Sequence, residues 1–194
     1  MKNVIQIGIY KTAEFISLVR GNTLTDKYVE TGLGNYLDTS GEWTYHGIDA
    51  IRTPIMVDDP PRINFHEVAI MGHDGDATIQ KFEQSTTSDG VYHRGNDTID
   101  VKCLTLESFI SQVGIATVDL LAMDIEGYES EVLQAFTGNN VRNIFVEYHN
   151  ISENHPEQRL DKETFIKMLV DKGYELKLDY PIYNGDCARL YFEL

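Results

Sequence analysis

The sequence predicts an α/β fold: a doubly wound, mostly parallel sheet that closes in an antiparallel C-terminal strand. Three observations carry this reading. Short apolar segments alternate with segments of helical period along most of the chain, the pattern of a parallel sheet covered on both faces. Those apolar segments repeatedly end in acid, as at Asp49, Asp124 and Glu147. The last two apolar segments, YELKLD (174–179) and ARLYFEL (188–194), have no helical stretch between them and are separated by a turn at Asn184-Gly185, so they read as a hairpin.

The elements follow in order. NVIQIGI (3–9) is a strand, and AEFISLV (13–19) is a helix whose Phe15, Ile16 and Val19 share a stripe. KYVETG (27–32) and TYHGIDAI (44–51) read as the next two strands. NFHEVAIMG (64–72) is a strand, and GHDGDATIQKF (72–82) suggests a hairpin turning at Asp74-Gly75. Gln84 to Asn96 has the small, polar composition of a mobile loop. TIDVKCLT (98–105) alternates as a strand, and the helix after it has Thr105 as N-cap and Gly114 as stop. VDLLAMD (118–124) is a strand, IEG a turn, and YESEVLQAF (128–136) a helix with Val132, Leu133 and Phe136 on one face. RNIFVEYHN (142–150) is a strand and KETFIKMLVDKG (162–173) a helix.

Composition narrows the partners. The 194 residues suit one domain, taken as 1–194, with a core that needs no disulfide or metal. Sixteen basic against 31 acidic side chains give a net charge of −15, which repels nucleic acid and anionic membranes. Neither is expected as a partner. The two cysteines, Cys103 and Cys187, show no framework spacing. With no charged-then-apolar leader and no apolar run long enough to cross a membrane, they read as reduced thiols of a cytoplasmic protein. Oligomeric state is not legible.

A strand that stays apolar until its last residue delivers that residue to the carboxyl-edge crevice where open α/β sheets bind ligands. Asp124 and Glu126, Glu147 and His149, and Asp49 are the candidates. Glu129 and Glu131 read instead as solvent-facing acids at the positive end of the following helix. Asp49 stands nineteen residues after Glu30 in VETGLGN, and an acid about 20 residues beyond a glycine turn is the ribose-hydroxyl ligand of nucleoside cofactors. The rival turn is IQIGIYK (5–11), with Gly8 and a better helix behind it, but Gln6 lies forty-three residues before Asp49. Spacing favours Glu30, Gly32 and Gly34. No H-x-x-x-H pair, P-loop or G-x-S-x-G elbow is present, so no metal is expected and hydrolase or nucleotide-hydrolysing chemistry is disfavoured. Were a cation bound, Asp124, Glu147 and His149 would be its donors.

At these residues the chain resembles the FkbM family of S-adenosylmethionine-dependent methyltransferases. VDLLAMDIEGYESEVLQAF looks like that family's signature strand and helix, D-L-L-K-x-D-x-E-G-x-E-x-x-V-L, and the likeness extends over about residues 28–194. It implies the seven-stranded class I methyltransferase (Rossmann-like) sheet, with S-adenosylmethionine as cofactor. It also implies methylation of a hydroxyl oxygen on a small acceptor such as a sugar or polyketide. Carried over, Glu30, Gly32 and Gly34 would line the methionine end and Asp49 the ribose, while Asp124 would face cofactor and acceptor. Asp124 or His149 would serve as catalytic base, His149 having the more suitable ordinary pKa. Two other readings remain: a non-catalytic binding module with a degenerate cofactor site, and a nucleotide- or NAD-binding enzyme.

Overall fold

The computed structural model describes residues 1–9, 14–21, 23–51, 62–84, 92–138, 140–150, 158–185 and 187–194. Among these, the strands are β1 (Lys2–Ile7), β2 (Trp43–Asp49), β3 (Ile63–Glu67), β4 (Ala69–Ile70), β5 (Gly75–Gln84), β6 (Tyr92–Leu104), β7 (Leu120–Met123), β8 (Asn143–His149), β9 (Glu175–Ile182) and β10 (Cys187–Glu193). The α-helices are α1 (Ser17–Gly21), α2 (Asp26–Val29), α3 (Leu106–Val113), α4 (Glu129–Ala135) and α5 (Lys162–Asp171).

Seven strands form one sheet in the order β3-β2-β1-β7-β8-β10-β9. The pairs from β3 through β8 are parallel, and β10 runs antiparallel to both β8 and β9. The chain steps outward from β1 to β2 and β3, then returns to place β7 on the other side of β1. That reversal opens a crevice at the carboxyl ends of β1 and β7, the topological switch point of a doubly wound sheet.

Alternation along the strands supplies both faces. Ile5, Ile7, Leu121, Met123, Ile144 and Val146 point to the side covered by α3, α4 and α5, where they meet Phe109, Leu133, Phe136, Phe165 and Leu169. Val4, Leu120, Ala122 and Phe145 point to the other side, against Phe15, Leu18, Tyr28 and Leu33. Each such aromatic or aliphatic side chain contributes roughly 1.5–3 kcal/mol on burial. The caps read from the sequence hold: the Thr105 side chain accepts from Ser108 N, and Gly114 ends α3 in the left-handed region.

Four expectations are corrected. Residues 27–32 are not a strand: they form α2 and a turn into a 3-10 segment, Leu33–Asn35. Tyr28 and Leu33 lie five residues apart and both enter the core, whereas an odd spacing along one strand would send them to opposite faces. Second, β5 pairs forward with β6, from Gly75↔Cys103 to Gln84↔Tyr92, rather than back onto 64–72, and β4 joins them in a separate sheet ordered β4-β6-β5. Third, of the loop read at 84–96, Gln84 and 92–96 are strand, while 85–91 lie outside the described residues. Fourth, the first helical segment begins as a 3-10 turn, Glu14–Ile16, so Leu18 rather than Val19 completes the buried stripe.

Candidate active site at the carboxyl edge of the central strands

The crevice begins with Gly8, which follows β1. Its amide donates to Ile48 O at 3.0 Å, and Asp124 N donates to Ile7 O at 3.1 Å, so the ends of β2, β1 and β7 are pinned side by side. Gly8 has φ +81°, and a Cβ built on it would sit 1.8 Å from the Asp124 backbone oxygen. Only glycine fits this junction. Asp49 ends β2 on the same edge, half-buried, with Oδ1 accepting from Ile51 N at 3.1 Å.

The expected cofactor turn lies elsewhere. Glu30 is an exposed residue at the end of α2, and Gly32, at φ 79°, turns the chain into the 3-10 segment that contains Gly34. None of the three follows a strand, so the spacing argument that favoured them lapses. The turn that does follow the central strand is Gly8. The position where an acid was sought is Gln6, 4% exposed, whose Oε1 accepts from Phe15 N at 3.2 Å and Tyr45 Oη at 3.0 Å.

Beyond β7, Asp124 and Glu126 face His149 at the end of β8. His149 Nε2 stands 3.9 Å from Asp124 Oδ1 and 3.4 Å from Glu126 Oε2. Asp124 Oδ1 is buried with no hydrogen-bond partner among the described residues. Glu126 holds φ 55°, which turns its side chain back toward the histidine, and Gly127 completes the turn at φ 103°. A non-glycine residue in this region carries backbone strain.

Glu129 was not expected here. It is the first residue of α4, wholly buried, and its carboxylate accepts from His149 Nδ1 at 3.1 Å, Ile125 N at 3.1 Å and Gly127 N at 3.0 Å. One side chain thus caps the turn and aims the imidazole. The reading of Glu129 as solvent-facing is overturned. Glu131 is also drawn inward, accepting from Gly72 N at 3.2 Å. Two sequence signals could have found Glu129: its place two residues after Gly127, within reach of the turn's free amides, and its match to the second glutamate of the signature E-G-x-E.

Electrostatics follow from this packing. Burial alone would depress the His149 pKa, but the charge and hydrogen bond of Glu129, then Asp124 and Glu126, outweigh it and raise it to about 10. Burial pushes Asp124 well above the usual carboxylate range, and the Glu147 charge adds to that against the opposing pull of His149. For Glu129 burial acts upward, yet His149 and the backbone amides hold it below its ordinary value. His149 therefore carries a proton near neutrality and is not poised to take one as a general base. That reverses the preference drawn from its ordinary pKa.

Glu147 reaches the same edge but is occupied by cations. Its Oε2 accepts from Arg189 Nε at 3.1 Å, across the β8–β10 ladder, and lies 3.7 Å from Lys27 Nζ. Lys27 also pairs with Glu14 at 3.0 Å. Tyr148, next along β8, is 1% exposed and donates its hydroxyl to Leu160 O at 2.9 Å, so it offers no face to a ligand. Tyr92 starts β6, and 151–157 lie outside the described residues. Both cysteines are buried free thiols, and no helix among the described residues is long and apolar enough to cross a membrane.

Several known proteins and one family model are similar to this chain. Eight solved chains match. One is Aeropyrum pernix fibrillarin, crystallised with natively bound S-adenosyl-L-methionine: 13% identity, TM-score 0.47, covering 98% of this chain and 66% of that one. Another is a SAM-dependent methyltransferase from Aquifex aeolicus: 13% identity, TM-score 0.41, covering 100% of this chain and 82% of that one. This chain thus spans a little under two thirds of the fibrillarin. No curated protein matches the sequence. The model of the methyltransferase FkbM domain matches residues 13–176, most of the chain. With that match over more than half of the chain, the chain belongs to the methyltransferase FkbM domain family.

Proposed function

We propose that the chain methylates a hydroxyl oxygen of a small, uncharged, hydroxyl-rich acceptor such as a sugar, bound over Asp124, Glu126 and His149. The observation that carries this reading is the buried Asp124 Oδ1 at the switch point, without a hydrogen-bond partner among the described residues and beside a second carboxylate. An oxygen that only accepts suits an O–H donor, and two carboxylates disfavour an anionic acceptor. S-adenosylmethionine supplies an activated methyl group on a sulfonium. The residues present fit it: a carboxylate at the end of β2 suits ribose hydroxyls, and the glycine turn after β1 brings the backbone to the crevice.

The protein's task is alignment, since an in-line displacement gains most from holding the reacting atoms close. Asp49 binds, Gly8 sets the approach of β1 and β7, and Asp124 accepts the acceptor's hydroxyl hydrogen. Glu129 is a positioning residue, acting through His149. The direct test is calorimetric titration with S-adenosylmethionine and S-adenosylhomocysteine, then mass spectrometry of methyl transfer to a panel of sugars, polyols, amines and carboxylic acids. Products confined to the hydroxylated compounds support the reading. Methylation of amines or acids alone would remove it, and absence of cofactor binding would leave a non-catalytic module.

A further inference from the structure

We propose that Asp124, Glu126 and His149 form a binding site for a divalent first-row transition-metal cation, for which Mn²⁺ serves as the paramagnetic probe. The inference deepens the acceptor site just described and rests on that reading for its catalytic purpose, but its geometry stands alone.

The donor atoms are one imidazole nitrogen and two carboxylate oxygens, all within 4.8 Å of one another. Donors about 2.1 Å from a cation lie about 3 Å apart in octahedral cis geometry. The 3.4 Å and 3.9 Å separations from His149 Nε2 to the Glu126 and Asp124 oxygens need only small side-chain rotations to reach it. The set differs from the one the sequence suggested: Glu147 is held by Arg189 and Lys27, and Glu126 takes its place.

Two further features separate this constellation from a chance meeting of acids. His149 presents Nε2 to the carboxylates because Nδ1–H donates to Glu129, itself fastened by two backbone amides. A carboxylate that fixes the tautomer of a histidine whose other nitrogen faces the donors is the outer-shell arrangement of metal-binding imidazoles. The second feature is Asp124 Oδ1, buried, turned toward Nε2 and without a hydrogen-bond partner among the described residues. A buried carboxylate oxygen without a donor is costly unless a ligand completes it. Access is available, since the Asp124 and Glu126 side chains are 35% and 38% exposed.

Mixed nitrogen and carboxylate donors favour Mn²⁺, Fe²⁺ or Zn²⁺ over Ca²⁺ or Mg²⁺, which take oxygen alone. A cation held by these three residues at the β7 and β8 ends would keep positions open to an acceptor hydroxyl, lowering its pKa and orienting its oxygen. Binding would displace the Nε2 proton that His149 carries in the metal-free protein, and that proton, like the acceptor's, would pass to solvent, with no redox change at the metal.

The test uses the full chain, freed of metal by a chelator, with MnCl₂ titrated near neutral pH and free Mn²⁺ followed by electron paramagnetic resonance. One equivalent should bind, with a ¹⁴N coupling from His149 in the pulsed spectrum. Glu126→Gln should weaken binding at least about tenfold, and Glu129→Gln, which keeps all three ligands, by about 10–100-fold. Glu126→Gln changes a partly exposed side chain, and an unchanged melting temperature would show that it folds. If His149→Gln does not fold, ¹⁵N-histidine labelling of the wild type replaces it, since the coupling must change with the isotope. No Mn²⁺ bound at millimolar concentration overturns the site. So does binding that is undiminished in Glu126→Gln and lacks nitrogen coupling, the signature of ions on the acidic surface. A parallel S-adenosylmethionine titration separates the two readings: cofactor binding without Mn²⁺ removes only the metal site, and Mn²⁺ binding without hydroxyl methylation removes only the proposed acceptor.

Discussion

Gly8 and Asp124 meet backbone to backbone: a Cβ on Gly8 would fall 1.8 Å from the Asp124 carbonyl oxygen. Two strand ends separated by more than a hundred residues of chain are therefore packed to contact at the switch point, and Asp124 takes its position from that contact. Gly8→Ala should force the ends apart while adding left-handed strain, costing about 3 kcal/mol or more. Urea unfolding measures it. A loss under about 0.5 kcal/mol would mean that the junction is looser than this contact requires.

Asp49→Ala should weaken S-adenosylmethionine by about ten- to a hundredfold, the value of hydrogen bonds to a charged group. Its half-buried position at the end of β2 makes the effect on stability small. Calorimetry alongside thermal denaturation distinguishes the two. Unchanged affinity would remove Asp49 from the cofactor site.

Arg189→Leu should destabilise the protein by about 3–5 kcal/mol, because it strips the buried Glu147 of its closest cation. Lys27, 3.7 Å away and partly exposed, compensates only in part. The double variant Arg189→Leu with Glu147→Leu should regain most of the loss. If it recovers nothing, side-chain packing and not the stranded charge set the cost.

His46 on β2 stacks against His66 on β3, with Nδ1 and Nε2 3.2 Å apart, and His66 meets the Phe109 ring of α3 edge-on. Burial, then the neighbouring His66, lowers the His46 pKa from 6.5 to about 4. A histidine with a depressed folded pKa binds fewer protons folded than unfolded, so its contribution is complete above pH 6.5 and lost as pH falls toward 4. Allowing for solvent screening, about 2 kcal/mol should disappear over that window. The difference in unfolding free energy between wild type and His46→Leu, measured across it, isolates the effect. Parallel pH profiles would show that His46 is not the source.

Much of the sheet was legible because strand and helix impose different periods. LLAM and IFVEYH are buried on both faces and read as continuous apolar runs, and Thr105 and Gly114 bracket α3 through local capping chemistry. The segment 27–32 was misread because Tyr28 and Val29 resemble a strand locally, whereas Tyr28 is drawn into a helix by the Phe15 and Phe145 rings it packs against. The pairing of β5 with β6 escaped for a similar reason. Turn residues at Asp74-Gly75 mark a reversal, but the Asp74 carboxylate spends its bonds on Thr105 N and Ser108 Oγ at the start of α3.

By itself the sequence determined which residues could be strands, the closing hairpin, and that Asp49, Asp124 and His149 end strands at one edge, because periodicity and strand-end chemistry are local. Only the tertiary structure decided that Gly8 forms the turn at the switch point, that Glu129 is buried beneath His149, and that Glu147 belongs to Arg189. Each of those depends on which strands become neighbours, and burial and charge pairing are properties of that neighbourhood rather than of any single stretch of chain.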